Sequence, residues 1–223
     1  MKRIVVFLLL TSAAIAGILA LAQNPFTHST FEYGKFQPYT GTLEEWPVPV
    51  LSAKDAHYLL VGVGKHGVAE AVRGLDHQLV TLNGSLIQRG SMRMLEVLPG
   101  SLKPQHVPSS PSGRVSHGYA KFTGEIVDTK CYLGVMNPGE GKVHRSCAAR
   151  CISGGVTPAL AVDGRLLILV DSDDHASNRK IFRFAGERVT VAGEWIEAGG
   201  IEVLRASPAT FAGNSGATLQ ALH

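Results

Sequence analysis

The chain lacks the motifs that most hydrolases leave in a sequence. There is no G-x-S-x-G elbow, no H-E-x-x-H and no paired-carboxylate signature, so hydrolytic chemistry has nothing to rest on. The C-x-x-C of thiol oxidoreductases and the C-x-x-C-H of haem attachment are both absent. Long Leu/Glu/Lys/Ala-rich periodic runs are missing, which argues against a helical bundle. Charge of one sign is scarce: the formal net charge is +3, and the basic residues are scattered without interleaved aromatics. That leaves no footprint for a nucleic acid. Cysteine is rare, with three residues in 223.

What is present points to a β-rich protein. A hydrophobic fraction of 45% over 223 residues is enough for one large core or two small ones. Gly 25 and Pro 11 favour many short strands joined by turns. At the N-terminus, Met1-Lys2-Arg3 precedes the uncharged run Ile4 to Leu21 (IVVFLLLTSAAIAGILAL). Its length, about 18 residues, reaches the lower limit for a bilayer-spanning helix and exceeds a usual signal-peptide core. Residues 1–22 are therefore expected to be an uncleaved anchor. Cleavage after Ala22, at Ala20-Leu21-Ala22, is the alternative. Either way the positive end stays in the cytoplasm and the chain after Gln23 is exported. The expected location is a bacterial inner membrane, facing the periplasm, or the periplasm itself if the chain is cleaved. Either is an oxidising compartment for the cysteines.

An internal repeat organises the rest. Residues 78–102 (QLVTLNGSLIQRGSMRMLEVLPGSL) align without a gap on residues 187–211 (ERVTVAGEWIEAGGIEVLRASPATF), at a constant offset of 109. Val80/Val189, Thr81/Thr190, Gly84/Gly193, Ile87/Ile196, Gly90/Gly199, Leu95/Leu204 and Pro99/Pro208 are identical. The beginnings, Tyr39-Thr40-Gly41-Thr42-Leu43 and Phe122-Thr123-Gly124-Glu125-Ile126, match at an offset of 83, so the second copy is 26 residues longer between its first two strands. Each copy is expected to hold a first strand (36–44; 120–128), a second (57–63; 165–171) and a hairpin (78–88 with 92–98; 187–196 with 200–206). Units of this size with glycines inside strands predict small barrels of the OB type. The expected fold is mainly β: two tandem OB-like barrels, 31–102 and 118–211, after an N-terminal apolar helix. Residues 103–117 (KPQHVPSSPSGRVSH) read as a linker and 212–223 as a flexible tail.

All three cysteines fall in the extra length of the second copy, CYLGVMNPGEGKVHRSCAARCISGG at 131–155. From about Lys142 the residues are helix-compatible, and Gly154-Gly155 supplies a stop. On a helix His144, Cys147 and Cys151 stand at i, i+3 and i+7, on one face. Cys131, at the end of the first strand, would be carried back over that face by the loop MNPGEGK.

Asp128-Thr129-Lys130-Cys131, then Cys147-Ala148-Ala149-Arg150-Cys151-Ile152-Ser153-Gly154-Gly155, the run Leu166-Leu167-Ile168-Leu169 and a Gly-x-x-Val-x-Val-x-Gly hairpin resemble a family of small exported bacterial domains. Those carry a D-x-x-C … C-A-x-x-C-I-x-x-G pattern on an OB-like barrel. The resemblance covers residues 118–207, and it implies fold and compartment without implying an activity.

Three readings of the cysteines stand open. A structural disulfide from Cys131 to Cys147 or Cys151 would close 16–20 residues, worth roughly 3 kcal/mol in the chain-entropy model, and would leave one thiol over. A metal site would use Cys131, Cys147 and Cys151 with His144, a ligand set suited to zinc or to copper(I), with Met136 as a further thioether. A reactive thiol would centre on Cys147, near Lys142 and Arg145. Elsewhere, Gly62-Val63-Gly64-Lys65-His66-Gly67 lacks the spacing of a phosphate loop and reads as a β-turn connection. Asp171, Asp173, Asp174 and His175 read as a solvated acidic turn. The aromatic lead Phe31, Tyr33, Phe36, Tyr39 and Trp46 reads as packing for the first barrel.

The function expected on these grounds is non-enzymatic. It is a membrane-tethered periplasmic accessory, assembly or binding protein that presents two barrels to an inner-membrane or periplasmic partner and holds a soft metal in the cysteine insertion. A periplasmic thiol-disulfide redox protein is the alternative.

Overall fold

A computed structural model describes residues 2–22, 28–110, 112–176, 181–207 and 211–213. The apolar run forms helix α1, Lys2–Ala22, with none of its residues buried and a mean hydropathy of 2.7. With no polar face it has nothing to gain from packing on the barrels. Its 21 residues rise about 31 Å, the thickness of a hydrocarbon core. By length and composition it can cross a membrane as an anchor, and a signal sequence has the same character.

Thirteen strands follow among the described residues. Strands β1 (Ser29–Phe31), β2 (Gln37–Glu44), β3 (Val50–Ala53), β4 (Ala56–Val61), β5 (Gln78–Arg89), β6 (Met92–Val97) and β7 (Lys103–Pro108) form the first sheet, with the short helix α2 (Ala69–Val72) between β4 and β5. Strands β8 (Arg114–Asp128), β9 (Pro158–Val162), β10 (Arg165–Val170), β11 (Arg188–Ala198), β12 (Ile201–Arg205) and β13 (Ala212–Gly213) form the second. In the first, β2-β3-β4-β6-β5 closes back onto β2, and in the second β8-β9-β10-β12-β11 closes onto β8. Each is a five-stranded barrel whose third and fifth strands run parallel, the strand order of an OB barrel.

The repeat holds at the level of register. Gln37 faces Gly84 in the first barrel, and Ala120 faces Gly193 in the second. Leu60 pairs with Leu95, as Leu169 pairs with Leu204. Thr40 and Thr81 join their hydroxyls at 3.0 Å, and Thr123 and Thr190 repeat that pair at 2.8 Å. Both first strands carry a glycine where a neighbouring backbone presses close: a Cβ on Gly41 would meet the Ser52 carbonyl at 2.6 Å, and one on Gly124 would run into that of Ala161.

Within the two five-stranded barrels, the expected strands omit β3 and β9. Each is only four or five residues long, and β3 is bounded by Pro49 and Lys54-Asp55, too short to show an alternation. The segment read as a linker is instead largely built into the sheets. Strand β7 pairs with β5, and the Ser109 N–H donates to the His77 carbonyl at 2.8 Å. The Ser112 hydroxyl donates to Glu44 Oε1 at 2.6 Å, and the Arg114 guanidinium lies 3.6 Å from the centre of the Trp46 ring. The first two residues of the expected tail pair with β11 as β13; residues 214–223 lie outside the described part.

Three apolar clusters divide the interior. One fills the first barrel around Leu43, Leu51, Leu82 and Leu95, and another fills the second around Ile126, Leu160, Leu167 and Leu204. The third lies between them: Val50, Leu59, Val61 and Met94 from the first barrel pack with Val127, Leu133, Ile168 and Val203 from the second. Cys131 and Cys151 belong to this shared layer. A buried ion pair crosses it, with Lys130 Nζ 2.6 Å from Glu96 Oε1 and donating to the Gly62 and Gly64 carbonyls at 2.8 and 2.7 Å. The barrels therefore share a packed, polar-pinned seam.

Candidate functional site

The insertion between β8 and β9 forms one wall of that seam. Asp128 ends β8 and, fully buried, accepts the Cys131 N–H on Oδ1 at 2.8 Å. That bond turns the chain out of the strand into a π-helical turn at Cys131–Val135. The turn is fastened to the first barrel by Arg89, which donates to the Tyr132 carbonyl at 2.9 Å and lies 4.0 Å from that residue's ring centre. Helix α3, Arg145–Ser153, follows, and Ala148, Cys151 and Ile152 form its buried face. The glycine stop is where the sequence places it: the Gly154 N–H bonds the Arg150 and Cys151 carbonyls.

Cys131, Cys147 and Cys151 bring their sulfurs within 4.8 Å of one another. Cys131 and Cys151 are buried, Cys147 is half-buried, and all three are free thiols. His144 stands just before α3 and belongs to a second group, with Asp128 and Cys131, whose ligand atoms also lie within 4.8 Å of one another. Its Nε2 is 3.1 Å from Asp128 Oδ2, in full burial. Of the four residues expected to form a metal site, then, three converge through sulfur. The fourth adjoins Cys131 while held by a carboxylate. Met136 is exposed.

A residue from the other barrel completes the site. Lys65 Nζ lies 2.9 Å from Cys147 Sγ and 3.7 Å from Cys151 Sγ. It is carried by the loop that joins β4 to α2, and that loop grips the end of α3. The Gly67 N–H donates to the Gly154 carbonyl at 3.0 Å, and a Cβ on Gly154 would run into the Lys65 carbonyl. The sequence reading of 62–67 as a connection between elements is correct in form and misses its cargo. Lys65 is 82 positions from Cys147, so no local spacing pairs them. Asp128 had a local signal, three residues before Cys131 in the D-x-x-C pattern; Lys130 and Glu96 had none.

The electrostatics separate Cys131 from Cys151. The hydrogen bond from Cys131, followed by the Lys65 charge and a bond from Cys147, pulls Cys151 down to about 7 against the cost of its burial. That same bond to Cys151, with burial and the Asp128 charge, holds the Cys131 thiol far above its usual range. The shared bond thus lowers Cys151 and raises Cys131. Lys65 is raised in turn, chiefly by its hydrogen bond to Cys147, and stays an ammonium. Such a cluster can present sulfur to a soft cation or carry a reactive thiolate.

Fold and site together define a tandem-barrel protein with a three-thiol cluster at the seam between its barrels. Comparison of the chain with protein-family models, with curated proteins and with solved structures gives no match.

Proposed function

We propose that the protein is a membrane-anchored, periplasm-facing binding and assembly module, and that it holds one soft metal ion through Cys131, Cys147 and Cys151. The convergence of three sulfurs within 4.8 Å carries this reading, because thiolates select Cu(I) and Zn(II) over hard cations. Three sulfurs suffice for a three-coordinate Cu(I). Zinc requires a fourth donor, and His144 is the one at hand, with Asp128 engaging Nε2 as carboxylates engage metal-ligating histidines. The apolar α1 supports the anchor, and the two barrels it would display supply the surface for an inner-membrane or periplasmic partner.

The test is metal content and free thiols measured on the same sample of exported full-length chain, purified without chelator and then loaded with Cu(I) or Zn(II). One ion per chain, lost in Cys131→Ser, Cys147→Ser and Cys151→Ser alike, is expected. His144→Ala should abolish zinc while sparing Cu(I). A chain that stays metal-free through loading while all three thiols titrate would overturn the reading.

The Lys65 ammonium, 3.7 Å from Cys151, favours a second reading, a thiol-disulfide redox protein, since its charge helps hold the Cys151 thiol down at about 7. In that case Lys65→Met should raise the Cys151 thiol and slow its alkylation by roughly three- to tenfold near neutral pH. Mass spectrometry of the alkylated peptides reads this, and an unchanged rate counts against the redox role.

A further inference from the structure

The repeat places a second feature on the seam, away from the cysteines. A cavity of about 340 Å³ opens between the barrels, and it is lined by the same strand positions of both copies. Leu59 of β4 matches Ile168 of β10, Met92 at the start of β6 matches Ile201 at the start of β12, and Arg93 matches Glu202, each pair at the repeat offset. The floor is apolar because these parallel strand pairs turn their aliphatic side chains into the seam. The charges at its mouth are not symmetric. Glu202 is neutralised by Arg165, which donates to it through Nε at 2.9 Å. The position equivalent to Arg165 in the first copy is Ala56, so the duplication did not preserve that pair. Arg93 faces Gln88 across β5–β6 and is half-buried, with no hydrogen-bond, ion-pair or ring partner among the described residues. A half-buried guanidinium over an apolar floor is a site short of one anion.

We infer that this cavity binds a single-chain amphiphilic carboxylate, its head paired to Arg93 and its aliphatic body between Leu59, Met92, Ile168 and Ile201. The volume lies in the range of small-ligand pockets and is too small for both chains of a phospholipid. The positive charge selects the carboxylate over a neutral alcohol of the same length, and the planar guanidinium matches it in two-point contact. This site is independent of the thiol cluster, so it stands or falls apart from the metal reading.

The experiment is native mass spectrometry of the full-length chain released from micelles of a neutral detergent, titrated with decanoate and, separately, with decanol. One decanoate per chain is expected, with decanol bound far more weakly. Arg93→Ala should weaken decanoate about tenfold or more, the usual worth of a charge-assisted bond. Ile201→Trp, which fills the floor, should abolish the adduct even with Arg93 in place. Circular dichroism of both variants shows that the barrels are intact. No decanoate adduct on the wild type overturns the inference. So does equal binding of decanol, or decanoate binding indifferent to both substitutions, since either marks detergent-like adsorption.

Discussion

At the scale of single residues, the buried polar groups at the insertion are paired one by one, and the cost of each shows where it is incomplete. Glu125 on β8 accepts the Gly141 N–H at 2.5 Å, which fixes the loop before α3. Burial nevertheless holds its carboxyl above the usual range, with the Gly141 bond offsetting only part and the nearby Glu140 charge adding to it. A carboxyl whose folded pKa exceeds its unfolded one contributes fully below the unfolded value, about 4.3, and loses that contribution as pH rises through the folded value. Glu125→Gln keeps an acceptor for Gly141 and removes the ionisation. It should match the wild type near pH 4 and exceed its stability progressively toward about pH 7. Denaturant midpoints at the two pH values check this, and a difference that shrinks as pH rises would contradict it. His144 and Asp128 show the same logic completed: each is the other's partner, and neither faces the seam alone.

At the scale of elements, the site depends on a loop and a helix end meeting without side chains between them. The loop after β4 and the stop of α3 approach so closely that Gly67 and Gly154-Gly155 touch backbone to backbone. A Cβ on Gly154 meets the Lys65 carbonyl first, and a main chain held by the Lys130 bonds to Gly62 and Gly64 has little room to yield. Gly154→Ala should therefore cost about 1–3 kcal/mol, the usual penalty of overpacking. It should also push Lys65 away from Cys147. Denaturation measures the first effect, and faster amide hydrogen exchange along α3 measures the second. An alanine variant as stable and as closed as the wild type would show that the loop does not lock the helix. Much of this element was legible in the sequence. The helix-compatible residues, the glycine stop and the three thiols on one insertion can be read from composition and spacing. The partner loop could not, because GVGKHG is an ordinary turn until another barrel is set against it.

At the scale of the whole molecule, two copies of one barrel are joined by a layer that belongs to neither. Lys130 and Glu96 are 2% and 6% exposed and cross this layer at 2.6 Å. Removing one partner leaves the other charge buried, at about 3–5 kcal/mol, whereas replacing both with apolar side chains restores part of the loss, the Gly62 and Gly64 carbonyls still lacking their donor. Lys130→Met should thus be strongly destabilising and should split unfolding into two transitions as the barrels part. Lys130→Met with Glu96→Leu should recover a single one. Calorimetry of the full-length chain distinguishes the outcomes, and a mild single substitution would mean that the apolar layer alone holds the barrels together.

The sequence by itself determined the apolar helix, the two barrels and their common register, because these rest on local signals: an uncharged run, alternation within strands, and a repeat whose glycines and threonines recur at fixed offsets. It also determined that the thiols lie on one insertion. Only the tertiary structure decided what surrounds them. Lys65 meets Cys147, Lys130 meets Glu96, and Leu59 joins Ile168 in one apolar layer through the packing of one barrel on the other. That packing is set by the summed burial of an apolar layer drawn from both copies, which leaves no periodicity in either stretch of chain.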